Sequence, residues 1–215
     1  GCAGRAGRPR ENPIPATPTA GSNSPVCEGQ TINLTANTVA GATYSWTGPG
    51  GFTSALEDPS RPGATAAMSG VYSVTITVAG CTSAAGTTNV TVNPIPATPT
   101  AGSNSPICAG QTLNLTANTV ASATYSWTGP GGFTSSLEDP SISNATTAMS
   151  GVYSVTVIVS GCTSAAGTTS VTVNPIPAAP TAGSNSPLCE GMTLNLTASN
   201  IAGATYLWSG PSGFT

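Results

Sequence analysis

Cysteine is the reactive side chain that this sequence sets out at regular intervals. Cys27, Cys108 and Cys189 stand 81 residues apart, and so do Cys81 and Cys162. Thiolate metal sites use closely spaced cysteines or histidine. These cysteines are far apart, no C-x-x-C occurs, and the chain contains no His. Two cysteines per repeat would point to disulfides instead if the chain is exported, as is expected. Three arrangements are open. Cys27–Cys81 and Cys108–Cys162 would close a bridge inside each repeat, Cys27–Cys162 would tie one repeat to the next, and the third arrangement leaves free thiols.

Carboxylates are the other chemistry on offer. Glu57-Asp58 and Glu138-Asp139 are the acidic pairs. Glycoside hydrolysis needs two carboxyls converging at about 5–10 Å, whereas adjacent residues of an extended loop point apart, with no base beside them. A Ca²⁺ site takes about six to eight oxygens, and LEDPS supplies only a few. The sequence therefore predicts no catalytic residue, no metal and no cofactor.

Charge narrows the field further. Charged residues are 5% of the chain, against about 25% in an average protein. The cations are Arg5, Arg8, Arg10 and Arg61; there is no Lys. Nucleic acid, whose phosphates must be neutralised, is excluded as a partner. Thr, Ser and Asn carry the solubility. No apolar run reaches the roughly 18 residues of a transmembrane helix, so no membrane insertion is expected.

The elements that must position these residues come in copies. NPIPATPTAGSNSP at 12–25 returns unchanged at 93–106, and at 174–187 with Ala179 where Thr17 and Thr98 stand. Residues 12–92 and 93–173 differ at 13 of 81 positions, which points to recent duplication rather than to distinct binding tasks. The reading is a tandem array with a period of 81: repeat one at 12–92, repeat two at 93–173, and the first half of repeat three at 174–215. Residues 1–11 read as a degenerate tail of an earlier repeat, since GCAGRAG resembles GCTSAAG around Cys81. The chain is expected to be a fragment.

Within 93–173, the segments 111–117, 123–129, 151–159 and 168–173 alternate apolar and polar residues, the period of half-buried strands. Gly, Pro, Asp and Ser clusters separate them. The prolines of NPIPATP hold φ and favour an extended joint, and TAGSNSP is expected to form an edge strand.

Four motifs together resemble an immunoglobulin-type sandwich: Gly110–Ala117, Tyr125–Trp127, Ser141–Ala145 and Ser150–Val155. More specifically, the string running from LTA through YSWTGP to GCTS and VTVNP is similar to the Ig-like/PKD-like repeats of large secreted bacterial surface proteins. The resemblance covers nearly all of 12–215. It implies an all-β fold of tandem Ig-like/PKD-like β-sandwich repeats joined by Pro-rich linkers. It also implies that Trp46, Trp127 and Trp208 are strand C core residues and that Tyr72 and Tyr153 are tyrosine-corner residues. Ala36 and Val74 occupy the places of the antibody inter-sheet cysteines, so that bridge is absent. In an Ig register the cysteine before strand B lies at the bottom of the sandwich and the F–G turn at the top. This sets the intra-repeat bridge against the need for Cα atoms within about 7 Å.

Arg61-Pro62-Gly63 replaces Ile142-Ser143-Asn144. Because Ile142 reads as a core residue and a buried unpaired Arg is costly, the strand at Arg61 is expected to shift outward or shorten, or the stretch to be a sequence error. Phe52 and Phe133 follow a Gly/Pro turn and are candidates for a surface contact, with packing across their own loop as the plainer reading. The NLT, NVT and NAT sequons read as outward strand residues.

The function expected on this basis is that of a non-catalytic structural or adhesive spacer. It would belong to a secreted or cell-surface bacterial protein and hold a terminal domain away from the membrane. The alternative is a carbohydrate- or protein-binding module accessory to a secreted enzyme. The expected partners are other domains of the same large chain, with an extracellular glycan or protein in the alternative.

Overall fold

A computed structural model describes residues 12–215; the expected degenerate tail at 1–11, with Cys2, lies outside the described residues. The described residues are all-β, with short 3₁₀ turns and no α-helix.

Strand formation follows from alternation. In INLTA the odd positions Ile32 and Leu34 are buried while Asn33 and Thr35 face water. TYSWTG buries Tyr44 and Trp46 in the same way, and GVYSVTITV buries Tyr72, Val74 and Ile76. Ten strands result: β1 Ala20–Ser22, β2 Val26–Cys27, β3 Ile32–Ala36, β4 Thr43–Gly48, β5 Phe52–Ser54, β6 Ser60–Arg61, β7 Gly70–Val78, β8 Cys81–Thr82, β9 Gly86–Val90 and β10 Val92–Asn93. One sheet is ordered β1-β3-β6; the other is β5-β4-β7, with β8 and β9 both pairing β7. β10 pairs β2 in parallel and puts Asn93 opposite Cys27. This two-sheet order is that of an Ig-like sandwich.

The second sandwich has ten more: β11 Ala101–Ser103, β12 Ile107–Cys108, β13 Leu113–Ala117, β14 Thr124–Gly129, β15 Phe133–Ser135, β16 Ser141–Ile142, β17 Gly151–Val159, β18 Cys162–Thr163, β19 Gly167–Val171 and β20 Val173–Asn174. Their pairing repeats that of the first set: β11-β13-β16 faces β15-β14-β17, and β12 pairs β20 in parallel. The segment expected as one strand at 168–173 is broken at Thr172, because Val173 leaves β17 to pair with Ile107.

Two separate apolar cores form. The first centres on Ile32, Leu34, Trp46, Tyr72, Val74 and Ile76; the second on Leu113, Leu115, Trp127, Tyr153, Val155 and Val157. Fully burying such a side chain contributes roughly 1.5–3 kcal/mol each. The polar tips are satisfied within the cores. Trp46 Nε1 donates to the Glu57 carbonyl and Trp127 Nε1 to that of Glu138, both at 3.1 Å. Tyr72 and Tyr153 donate their hydroxyls to Met68 and Met149 carbonyls at 3.0 Å. Among the described residues, no buried side-chain polar atom lacks a partner.

Residues 174–215 keep only β21 Ala182–Ser184 paired with β22 Leu196–Ala198. Trp208 is half-exposed there, contrary to its expected core role, because no strand corresponding to β7 or β17 covers it.

Candidate functional site

The acidic pairs are local braces. Asp58 Oδ1 accepts from the Ala36 amide and Asp139 Oδ1 from the Ala117 amide, both at 2.9 Å. Glu57 and Glu138 accept the hydroxyls of Thr38 and Thr119. Each carboxylate thus ties its loop to the end of β3 or β13. No cluster of metal-ligating side chains occurs among the described residues.

The aromatic candidates are packed inward. Trp46, Trp127, Tyr72 and Tyr153 are buried. Phe52 lies edge-on to Tyr72 at 5.5 Å and Phe133 edge-on to Tyr153 at 5.6 Å, so both rings are half-buried lids on the cores rather than freestanding contact residues.

Arg61 departs from expectation. β6 keeps the length and register of β16: Arg61 stands opposite Ile32 as Ile142 stands opposite Leu113. The strand has neither shifted nor shortened, because the guanidinium finds partners at the rim. Nη1 donates to the Pro49 carbonyl at 2.8 Å and to the Tyr72 hydroxyl at 3.0 Å, and the cation lies 5.4 Å from the Phe52 ring centre. The second sandwich lacks this cap, and burial raises the Tyr153 hydroxyl above the ordinary tyrosine pKa.

Chemistry across the two sandwiches is concentrated where they meet. At the bottom of the first, the Cys27 amide donates to Gln30 Oε1 at 2.9 Å and the Gln30 amide returns to the Cys27 carbonyl at 3.1 Å. Gly29, with φ of 82°, makes this turn possible. Asn93 sits beside Cys27 through the β2–β10 pairing. From the second sandwich comes the two-residue turn between β17 and β18, Ser160-Gly161, with φ of 50° and 81°. Positive φ at both central residues matches the twist of a tight hairpin and puts Cys162 at its foot. Asn93 Nδ2 donates to the Ser160 carbonyl at 3.0 Å.

Cys27 and Cys162 are bonded across this joint, with Cα atoms 5.7 Å apart and a sequence separation of 135. The bridge is therefore between sandwiches. The intra-repeat pairs Cys27–Cys81 and Cys108–Cys162 are not formed. The reason is geometric: the cysteine of β2 lies at the end of its sandwich where the chain passes to the next, while the turn cysteine lies at the other end. Cys81, Cys108 and Cys189 are thiols.

A second contact fixes each linker to the sandwich that follows it. The Pro99 carbonyl lies against Gly167 of β19, where a Cβ would come within 1.8 Å of its oxygen. Pro18 makes the same approach to Gly86, at 1.9 Å. Both prolines are buried. Reasoning from sequence missed these glycines and the side chain of Asn93. The signal was present in the strict return of both at the 81-residue interval.

No protein-family model matches the chain, and no curated protein matches it. Among solved structures it is similar to murine CEACAM1b at 12% identity and a TM-score of 0.46, covering 74% of this chain and all of that one. It is also similar to a marsupial T cell receptor at 16% identity and a TM-score of 0.48, covering 86% and 81%. Titin domains A168–A170 match at 13% identity and a TM-score of 0.44, covering 69% and 61%. At these scores the likenesses add nothing to what the strand order already establishes.

Proposed function

We propose that the chain is a tandem array of Ig-like/PKD-like β-sandwich units at 12–92 and 93–173 with the start of a third at 174–215, joined by Pro-rich linkers. It acts as a non-catalytic structural or adhesive spacer in a secreted or cell-surface bacterial protein and extends other domains of that protein from the surface. The observation that carries this reading is the Cys27–Cys162 bridge between successive sandwiches. A disulfide at that place serves to tie two units together rather than to react with a substrate. It turns a hinged joint into a doubly connected one, which suits a member that must keep its length. It also belongs to an oxidising, extracellular-type compartment.

Small-angle scattering tests the reading. The chain and a version with one more copy of residues 93–173 are expected to give elongated particles, with a maximum dimension that rises by a constant step per unit. A compact particle of unchanged length would overturn the spacer.

A further inference from the structure

The turn at Cys81 is built like the bridged turn at Cys162. At Cys162, the Ser160 carbonyl accepts Asn93 Nδ2 at 3.0 Å and the sulfur lies 3.9 Å from the Asn93 carbonyl oxygen. At Cys81, the Ala79 carbonyl accepts Asn12 Nδ2 at 3.1 Å and the thiol donates to the Asn12 carbonyl at 3.3 Å. Ala79 and Gly80 have the same positive φ angles as Ser160 and Gly161. The turn carrying Cys81 is thus already docked on the asparagine that, one repeat later, stands beside the bridging Cys27. The corner that bears a cysteine of the Cys27 type also recurs. Cys108 pairs with Asn174 through β12 and β20, its amide donates to Gln111 Oε1 at 2.8 Å, and the side chain is exposed.

We infer that Cys81 and Cys108 are each one half of a further inter-unit disulfide, and that the other half in each case is a copy of this same unit in the same chain. Cys81 takes the β2-type cysteine of a unit on its N-terminal side; Cys108 takes the turn cysteine of a unit on its C-terminal side. This inference rests on the tandem reading above. The partner is in the same chain because Asn12 fills at Cys81 the place that Asn93 fills at Cys162. A separate molecule would bring its own asparagine to the same carbonyl. The array is then a ladder in which every unit is stapled to the next, the contact being head-to-tail and open-ended rather than closing on itself.

Each bridge forms by thiol–disulfide exchange with an external disulfide such as oxidised glutathione. One cysteine thiolate displaces a glutathione thiolate to give a mixed disulfide. The partner thiolate attacks that sulfur and releases the second glutathione thiolate. Two cysteine thiols lose their protons, the protein gains one S–S bond, and one glutathione disulfide is reduced to two thiols.

The test uses the 215-residue chain and two lengthened forms refolded in a glutathione redox buffer. One carries a second copy of residues 93–173 after Val173; the other carries a second copy of residues 12–92 before Asn12. Non-reducing peptide mapping separates the products because the ICAGQ and VCEGQ corners differ in mass, as do the two turn peptides around Cys81 and Cys162. In the first form, Cys108 is expected to pair with the turn cysteine of the inserted copy. In the second, Cys81 is expected to pair with the VCEGQ cysteine of the inserted copy. Each insertion adds two cysteines and one bridge, so the thiol count stays that of the parent chain. Cys108→Ser in the first form is expected to raise it by one at the inserted turn cysteine, with tryptophan fluorescence unchanged.

Cys108 or Cys81 remaining a thiol in its lengthened chain would overturn the inference, as would a Cys2–Cys81 bridge there. Disulfide-linked multimers of the 215-residue chain joined through Cys81 and Cys108 would overturn the same-chain partner. If the bridges fail while scattering still shows length rising with unit number, the ladder falls and the spacer stands.

Discussion

Leu115 and Trp127 of the second sandwich are 1% and 0% exposed, whereas their counterparts after residue 174 are open: Leu196 is 40% exposed and Trp208 is half-exposed. The surrounding sequence is nearly the same. Local structure survives the difference. The Tyr206 hydroxyl accepts from the Ile201 amide and donates to the Ser199 carbonyl, as the Tyr125 hydroxyl does with Val120 and Asn118. The β21–β22 register also repeats that of β11–β13. In the second sandwich β17 flanks Trp127, with Val155 directly opposite it, and residues 174–215 hold no corresponding strand. Short-range hydrogen bonds form from neighbouring residues alone. Burial needs a strand from further along the chain.

The largest expected effect breaks this comparison directly. Trp127→Ala should cost about 3–5 kcal/mol in the second sandwich, while Trp208→Ala should cost about 1 kcal/mol or less. Urea unfolding of the two variants measures both, and equal losses would contradict the difference in burial. Next, replacing Cys27 and Cys162 together by Ser should lower stability by about 2–4 kcal/mol, because the unfolded chain is no longer closed into a long loop. Calorimetry of the oxidised protein reads the shift, and the same pair changed in already reduced protein should show almost none. Gly167→Ala should cost about 1–3 kcal/mol by forcing the Pro99 carbonyl off β19. The linker should loosen from the second sandwich with it, visible as faster amide exchange at 95–100.

Two smaller effects sharpen the contrast between the first and second sandwiches. Arg61→Ile should change stability by about 1 kcal/mol or less, since the second sandwich holds Ile142 in that register and the lost hydrogen bonds are rim contacts. A loss of several kcal/mol in thermal unfolding would mean the guanidinium is essential. The last effect concerns pH. Burial raises the folded pKa of Tyr153 above the ordinary tyrosine value of about 10. The folded state therefore binds more protons than the unfolded one above that pH. The resulting stability is complete below pH about 10 and is lost as pH rises from there through the folded pKa. Tyr153→Phe should flatten that alkaline decline, as read by denaturation midpoints across the range.

Much of this protein is local, and what is local was legible. Alternation located β13, β14 and β17 to within two residues, because a half-buried strand writes its two faces into adjacent positions. Trp46 and Trp127 were legible as core for the same reason, whereas the bracing role of the acidic pairs was not. Three further features were not legible. Arg61 stays in register because Pro49, Phe52 and Tyr72 meet it in space, and no spacing in the sequence announces that meeting. Trp208 has the neighbours of a core tryptophan, but no strand among residues 174–215 buries it.

The third feature is the bridge, and it marks the division. The amino-acid sequence by itself determined an all-β chain, the return of its pattern at 81 residues and the presence of paired thiols. Alternation, turn chemistry and composition are properties of neighbouring residues. Which thiols meet was decided by tertiary structure alone. Bond formation depends on a Cα separation of 5.7 Å between two folded bodies, and that distance is set by how the Asn93 corner and the Ser160-Gly161 turn orient one sandwich on the other.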